Sequence, residues 1–168
     1  MPDITLKRLT PAGRFVFRGR PQSIAAAEKA FGLALPEQAC TAATAGERAV
    51  LWLGPDEWLL LFPAAERDAI DASFREILGE LPYSLVDVGE RQVALDIEGP
   101  RAATLLNCGC PLDFDVVPVG FCSRTMLGKA EVVLWRKGPE HFHIEIWRSF
   151  AGYVDLLLAE AGREFSLA

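Results

Sequence analysis

Apolar residues recur in two long segments at the spacing of one face of an α-helix. Between positions 150 and 161 they stand at i, i+3, i+4, i+7, i+8 and i+11. Ser149 precedes this stripe, where the hydroxyl of an N-cap residue would accept a backbone N–H. A similar stripe follows residue 66, and Pro100 suits the first turn of a shorter helix. The pattern therefore predicts helices at residues 23–31, 66–78, 100–107 and 150–161.

Other segments alternate between apolar and polar residues, as β-strands with one covered face do. Phe142, Ile144 and Ile146 alternate with His143 and Glu145. This alternation predicts that the last two side chains face solvent. The same reasoning predicts strands at residues 4–9, 14–19, 38–44, 49–53, 57–62, 84–88, 92–97, 121–126, 130–136 and 141–147.

The order of these elements occurs twice. The run VLWLGPD at 50–56 returns as VLWRKGPE at 133–140, each a strand followed by a Gly-Pro turn and an acidic residue. Matching positions are separated by 99 − 19 = 80, 122 − 40 = 82 and 138 − 54 = 84 residues. We interpret residues 1–168 as a single domain made of two repeats, about 1–80 and 83–162. The predicted fold class is α+β, a duplicated ββαβββα unit with two antiparallel sheets and helices on one face of each.

Composition narrows the function classes. Seventeen basic against 23 acidic residues give a net charge of −6, which argues against nucleic-acid binding. The apolar runs are too short for a membrane span, so we expect no membrane partner. The first residues lack the pattern of a signal peptide, and four cysteines without an export signal indicate reduced thiols. We therefore expect a cytoplasmic protein.

Two cysteines and two histidines have the ligand types of a zinc site. However, Cys108 and Cys110 are closer together than in the usual zinc pattern, and His141 and His143 are predicted to face solvent. We interpret them as two small buried cysteines and two surface histidines, and we predict no metal ligands. A zinc module based on these four residues stays as an alternative. Asp87, in an otherwise apolar strand, is either a sheet-end residue in solvent or a buried group with an altered pKa.

Trp147 is the candidate centre of a docking surface. Tryptophan is enriched at protein–protein contacts, and this one shares its predicted strand face with His143 and Glu145. We therefore predict these three residues as interface candidates. We identify no catalytic residues.

Several segments together resemble the gamma subunit of bacterial heterotetrameric sarcosine oxidase. They span residues 14–158 and are LGPDEWLL at 53–60, VDV at 86–88 with Arg91, GPRA at 99–102, GCPLD at 109–113 and RSFAGY at 148–153. That family is a distant relative of the folate-binding domain of the glycine-cleavage aminomethyltransferases, so the resemblance implies the same duplicated fold. It also implies a complex with alpha, beta and delta subunits that oxidatively demethylates sarcosine to glycine and passes the one-carbon unit to tetrahydrofolate.

The resemblance implies that FAD, FMN, NAD, folate and zinc belong to the partner subunits and that this chain binds no cofactor. Where the aminomethyltransferases have an Asn-Asp pair, this chain has Leu112 and Asp113, so Asp113 is the candidate remnant of a folate site. We expect a non-catalytic structural or assembly subunit of an oxidoreductase, without autonomous catalysis. The alternative is a stand-alone folate-binding aminomethyltransferase-like protein. A folate-binding repair factor for iron–sulfur proteins is a further rival, but its Lys-Gly-Cys motif has no counterpart here.

Overall fold

The computed structural model describes residues 3–9 and 12–167. Ten strands and four α-helices are present in these residues. In chain order they are β1 (Thr5–Arg8), β2 (Ala12–Gly19), α1 (Pro21–Phe31), β3 (Ala42–Ala45), β4 (Arg48–Gly54), β5 (Glu57–Pro63), α2 (Arg67–Leu78), β6 (Tyr83–Asp87), β7 (Gln92–Glu98), α3 (Ala102–Asn107), β8 (Cys122–Leu127), β9 (Ala130–Gly138), β10 (His141–Trp147) and α4 (Ala151–Gly162). No helix of the described residues has the length and apolar character needed to cross a membrane.

The chain divides into two compact units. Residues 12–89 form one of them. Its antiparallel sheet has the strand order β3-β4-β5-β2-β6. Helices α1 and α2 cover one face of this sheet and enclose an aromatic core around Phe17, Trp58 and Phe74. The indole N–H of Trp58 donates to the backbone oxygen of Pro36 at 2.8 Å, so the polar atom of this buried ring is satisfied.

Residues 3–9 and 90–167 form the second unit. Its antiparallel sheet has the order β1-β7-β10-β9-β8, and α3 and α4 cover one face. The core contains Ile97, Leu134, Phe142, Ile144 and Leu158, all of them buried. Because strand residues alternate between faces, Asp96, His143, Glu145 and Trp147 lie on the opposite face of this sheet.

The two sheets have the same topology. Reading β2, β3, β4, β5 and β6 as β7, β8, β9, β10 and β1 converts one strand order into the other. The N–H of Gly19 donates to the carbonyl of Asp56 at 3.1 Å, and the N–H of Gly99 donates to the carbonyl of Glu140 at 3.0 Å. Each bond ties the end of a strand, β2 or β7, to the Gly-Pro-acid turn of the hairpin in the same sheet, β4–β5 or β9–β10. The duplicated α+β fold class is thereby confirmed.

The first strand of each repeat, β1 or β6, pairs with the sheet of the other repeat. β1 pairs with β7 and β6 pairs with β2, so each sheet takes its edge strand from the other repeat. The compact units therefore change over near residue 90 instead of at 80–83. Alternation of apolar and polar residues identifies a strand and its covered face, but it does not identify the neighbouring strand.

Two predicted helix starts are wrong. A 3₁₀ turn occupies Arg148–Phe150, and α4 begins after it without a side-chain cap, so Ser149 is not an N-cap. Similarly, α3 begins at Ala102 and Pro100 lies in the turn before it. In both cases a tight turn precedes the helix and shifts its first residue.

Candidate functional site

A network of charged side chains lies on the face of the second unit's sheet that is opposite α3 and α4. The Asp96 carboxylate on β7 accepts from Nδ1 of His143 at 2.7 Å and from Nε2 of His141 at 2.8 Å. The ammonium of Lys137 lies 3.2 Å from the same carboxylate. Nε2 of His143 lies 3.0 Å from Oε1 of Glu145. Cross-strand pairing of Asp96 with His143 aligns these groups.

The surroundings of His143 favour its protonated form. Burial lowers the pKa of its imidazole, but hydrogen bonds to Asp96 and Glu145 outweigh burial and raise this pKa above its ordinary value. Burial also raises the pKa of Asp96, and the hydrogen bond from His143 brings it well below the usual range. Because both ring nitrogens of His143 donate to carboxylates, the ring has no lone pair for a metal or for a substrate proton. This arrangement serves structure better than catalysis.

The prediction that His143 and Glu145 face solvent is wrong. Their exposed fractions are 5% and 1%, so neither can be an interface residue in the way the alternation suggested. Alternation shows which face of a sheet a side chain is on, but it does not show whether that face is covered. Trp147, the third interface candidate, is 40% exposed.

The possible metal ligands of this unit are a different set from the one considered in the sequence. Ligand atoms of Asp96, Glu98 and His141 lie within 4.8 Å of one another, although the Lys137 ammonium already neutralises Asp96. The cysteines are not part of this group. Cys110 is buried with its sulfur 3.8 Å from the hydroxyl of Thr125. Cys108 is exposed, contrary to prediction, because it follows the last turn of a short helix.

Asp113 lies on an exposed loop between α3 and β8. Its Oδ1 accepts the backbone N–H of Asp115 at 3.0 Å, and its carbonyl accepts from the N–H of Val117 at 3.1 Å. The guanidinium of Arg136 fastens the same loop through the carbonyl of Phe114 at 2.7 Å. A carboxylate that is engaged in its own turn does not provide the several convergent groups that a folate requires. The residues at this position therefore do not fit the cofactor.

Asp87 is at the end of β6 and faces solvent, as the first of its two interpretations proposed. Its carboxylate accepts from Arg67 at 2.5 Å and from the N–H of Gly89 at 2.8 Å. Burial raises its pKa, and the hydrogen bonds from Gly89 and Arg67 outweigh burial and lower it. This is a surface ion pair that closes the end of a strand.

The first unit also has a shallow pocket of about 220 Å³, lined by Arg18, Gly19, Arg20, Asp56, Pro82 and Tyr83. The guanidinium of Arg18 donates to both carboxylate oxygens of Asp56 at 3.1 Å. This ion pair neutralises much of the charge of the pocket, which makes it a poor anion site.

Arg91, in the turn before β7, contacts the exposed end of β10 and was missed by sequence reasoning. The guanidinium of Arg91 lies 4.9 Å from the centre of the Trp147 ring, in a cation–π contact. The carbonyl of Arg91 accepts the N–H of Arg148 at 2.8 Å, which fixes the backbone on both sides of the contact. Sequence spacing gave no signal for this pair, because the two residues are 56 positions apart (147 − 91 = 56) and meet only through strand pairing.

Comparisons with known proteins agree across the chain. The sequence model of the sarcosine oxidase, gamma subunit family matches residues 18–164. The sarcosine oxidase subunit gamma of Corynebacterium sp. strain U-96 is 34% identical, over 98% of this chain and 82% of that protein. A chain of the heterotetrameric sarcosine oxidase from Corynebacterium sp. U-96, in complex with pyrrole 2-carboxylate, matches with a TM-score of 0.91 and 32% identity, over 98% of this chain and 86% of its own.

A more distant structure shows only a shared fold. The glycine cleavage system aminomethyltransferase T from Bartonella henselae matches with a TM-score of 0.71 and 14% identity, over 93% of this chain but 45% of its own. The aminomethyltransferase-like architecture predicted from the sequence is thus confirmed. The match covers less than half of that enzyme.

Proposed function

The chain belongs to the sarcosine oxidase gamma subunit family, and we propose from this premise that it is the assembly subunit of a heterotetrameric sarcosine oxidase. In this role it binds the other three subunits and stabilises the complex that oxidatively demethylates sarcosine to glycine, with transfer of the one-carbon unit to tetrahydrofolate. It performs no chemical step on its own.

The observation that carries this proposal is the full-length match to a chain of a solved heterotetrameric sarcosine oxidase, with a TM-score of 0.91 over 98% of this chain. At this similarity the fold of one chain is retained nearly from end to end. A surface that serves assembly depends on such retention, because docking requires a rigid and complementary shape.

The chemistry of the described residues supports a non-catalytic role. Both nitrogens of His143 are engaged by carboxylates, and Asp113 is engaged in its own turn. A general acid–base step requires a group within reach of substrate that can accept or release a proton. From the resemblance to the gamma subunit family, we assign FAD, FMN, NAD, folate and zinc to the other subunits and none of them to this chain.

We place the complex in the cytoplasm. The four cysteines are free thiols, and Cys108 is exposed. Exposed free thiols persist in compartments where thiol reductants are abundant. The cytoplasm is also the compartment that the cysteines of the sequence suggested.

A stand-alone aminomethyltransferase-like protein is the weaker candidate. The chain corresponds to 45% of the aminomethyltransferase T chain, and the retained aspartate lies on an exposed loop. Such a protein would need a folate pocket, and the residues at Asp113 do not supply one.

Omission of one subunit at a time tests the proposal. The three other subunits are produced with and without this chain, and sarcosine-dependent hydrogen peroxide formation is measured before and after mild heating. We expect no peroxide from this chain alone, and a longer half-life of the activity when it is present, because a partner that binds the folded assembly stabilises it. Activity with an identical half-life in its absence would refute an assembly role.

A further inference from the structure

Four residues form a row across the end of the second unit's sheet. Trp147 on β10 pairs with Gln92 on β7, and Met126 on β8 pairs with Glu131 on β9. Ile146 pairs with Val132, so the next residue, Trp147, aligns with Glu131. All four side chains belong to the face opposite α3 and α4. We call Gln92, Trp147, Glu131 and Met126 the Trp147 row.

The row exposes large apolar side chains. Trp147 is 40% exposed and Met126 is 42% exposed, on strands separated only by β9. At the other end of the row Gln92 is buried, and its Oε1 has no hydrogen-bond partner among the described residues. Tryptophan and methionine side chains that are exposed on the same sheet face are typical of a surface that another chain covers.

The charge next to the row specifies the partner. Arg91 stacks on Trp147, and within residues 3–9 and 12–167 no carboxylate forms an ion pair with it. Glu90, the adjacent acid, lies 3.2 Å from Arg148 instead. On a chain of net charge −6, the described residues provide no counterion for this cation beside an apolar ring. A guanidinium that is prepositioned in this way suits a carboxylate on a binding partner.

We propose that the exposed side chains of the Trp147 row, which are Trp147, Glu131 and Met126, form with Arg91 the docking surface for one subunit of the oxidase. That subunit places an aspartate or glutamate against Arg91 and apolar side chains against Trp147 and Met126. This inference rests on the proposed function and adds to it the surface and the chemistry of the partner. It replaces His143 and Glu145, which are buried, by Arg91 and Met126.

Substitutions of Trp147 and Arg91 test whether this surface binds the partner subunits. Trp147→Ala and Arg91→Glu are each introduced into this chain, and the chain is titrated against the three co-purified partner subunits. Removal of a central interface tryptophan costs about 2 kcal/mol or more, so we expect affinity to fall by roughly thirtyfold with Trp147→Ala. Charge reversal at position 91 should lower affinity by at least about tenfold, and high salt should weaken binding of the unchanged chain more than that of Arg91→Glu.

Two exposed positions outside the row serve as matched controls. Leu156→Ala removes a side chain that is 74% exposed on α4, and Arg163→Glu reverses a charge that is exposed near the end of the same helix. Both control variants should bind with unchanged affinity. Circular dichroism melting of each isolated variant separates loss of binding from loss of fold.

The outcomes distinguish this inference from the proposed function. If the unchanged chain binds and Trp147→Ala and Arg91→Glu bind equally well, the docking surface is elsewhere and the inference is wrong. Equal losses in the control variants would also contradict it. If the unchanged chain itself fails to bind the three subunits, the proposed function fails as well.

Discussion

At the scale of single residues, His143 has a structural role, although the alternation around it predicted a solvent-facing side chain. The ring lies edge-on to Trp135 at a centroid distance of 5.9 Å and has a carboxylate at each nitrogen. Burial of an imidazolium is unfavourable unless both of its N–H groups are satisfied by acceptors, which is the arrangement here. The contact between His143 and Asp96 joins β10 to β7 at paired positions.

Stability should depend on pH through this pair. The pKa of Asp96 is lowered by folding, so its contribution exists above the unfolded value of about 3.9 and is lost as the pH falls. The pKa of His143 is raised by folding, so its contribution exists below about 6.5 and is lost as the pH rises through the raised value. The network should stabilise the fold most between about pH 4 and 6.5.

Asp96→Asn tests this dependence. The variant leaves a buried imidazolium with one carboxylate, and we expect a loss of about 3 kcal/mol in the free energy of unfolding near pH 5.5. The loss should shrink toward pH 3 and toward pH 9. Urea unfolding at several pH values measures it, with Asp113→Asn on the exposed loop as the control. A loss that is the same at every pH would contradict the charged network.

Residue types predicted this site only in part. The alternation around His143 placed His143 and Glu145 on one face, as the structure does, but it gave no indication that Asp96 of β7 pairs with His143. It could not show that this face is covered, because coverage depends on contacts far away in sequence. Arg91 was not predicted as an interface residue, because its ring contact follows from the pairing of β7 with β10.

At the scale of elements, two glycines differ in the space that the structure leaves for a side chain. A Cβ at Gly13 on β2 would meet the ring of Phe62 at 1.9 Å, and that ring is buried. At Gly152 on α4, nothing lies within 4 Å of the added atom. Alanine substitution at Gly13 therefore reports the effect of packing on stability, and the same substitution at Gly152 reports the effect of backbone freedom.

Gly13→Ala and Gly152→Ala should change stability in opposite directions. We expect a loss of about 1–3 kcal/mol for Gly13→Ala, since overpacking displaces Phe62. Gly152→Ala should give a gain of about 0.5–1 kcal/mol, because alanine favours the helix. Thermal unfolding of both variants provides the comparison. Equal stabilities would show that β2 does not approach Phe62 as described.

Arg136 connects β9 to the loop that precedes β8. Its guanidinium donates to the carbonyls of Phe114 at 2.7 Å and Pro139 at 2.8 Å, on two separate segments. Arg136→Lys keeps the charge but removes the planar fork, so we expect about 1–3 kcal/mol of destabilisation and faster hydrogen exchange at Val117. Arg163→Lys, at an exposed i,i+3 pair, is the control and should change little. Unchanged exchange at Val117 would rule out this role of Arg136.

The pattern of apolar residues was sufficient to predict where the strands and helices lie, but it was insufficient to predict which strands pair. All ten predicted strands exist, because period-two alternation reports a local property. The pairing of β1 with β7 instead of β2 could not be predicted, since alternation says nothing about which strand lies alongside. The shifted start of α4 depended on a 3₁₀ turn that residue spacing does not distinguish from the helix itself.

At the scale of the whole molecule, the chain retains the fold of its family from one end to the other. The duplicated α+β plan matches a chain of a heterotetrameric sarcosine oxidase along nearly its whole length. The ring of His143 is engaged by two carboxylates, and the exposed Trp147 lies beside Arg91, which has no ion-pair partner in residues 3–9 and 12–167. This distribution of polar and apolar groups is typical of a subunit that acts through assembly.

Native mass spectrometry tests the central claim most directly. The chain, with an affinity tag, is co-produced with the three other subunits of the oxidase. The mass of the intact purified complex is then measured. The assembly account predicts one dominant species whose mass equals the sum of the four different subunits, and which forms peroxide from sarcosine. Recovery of the tagged chain alone, while the other three subunits form an active complex without it, would contradict the account.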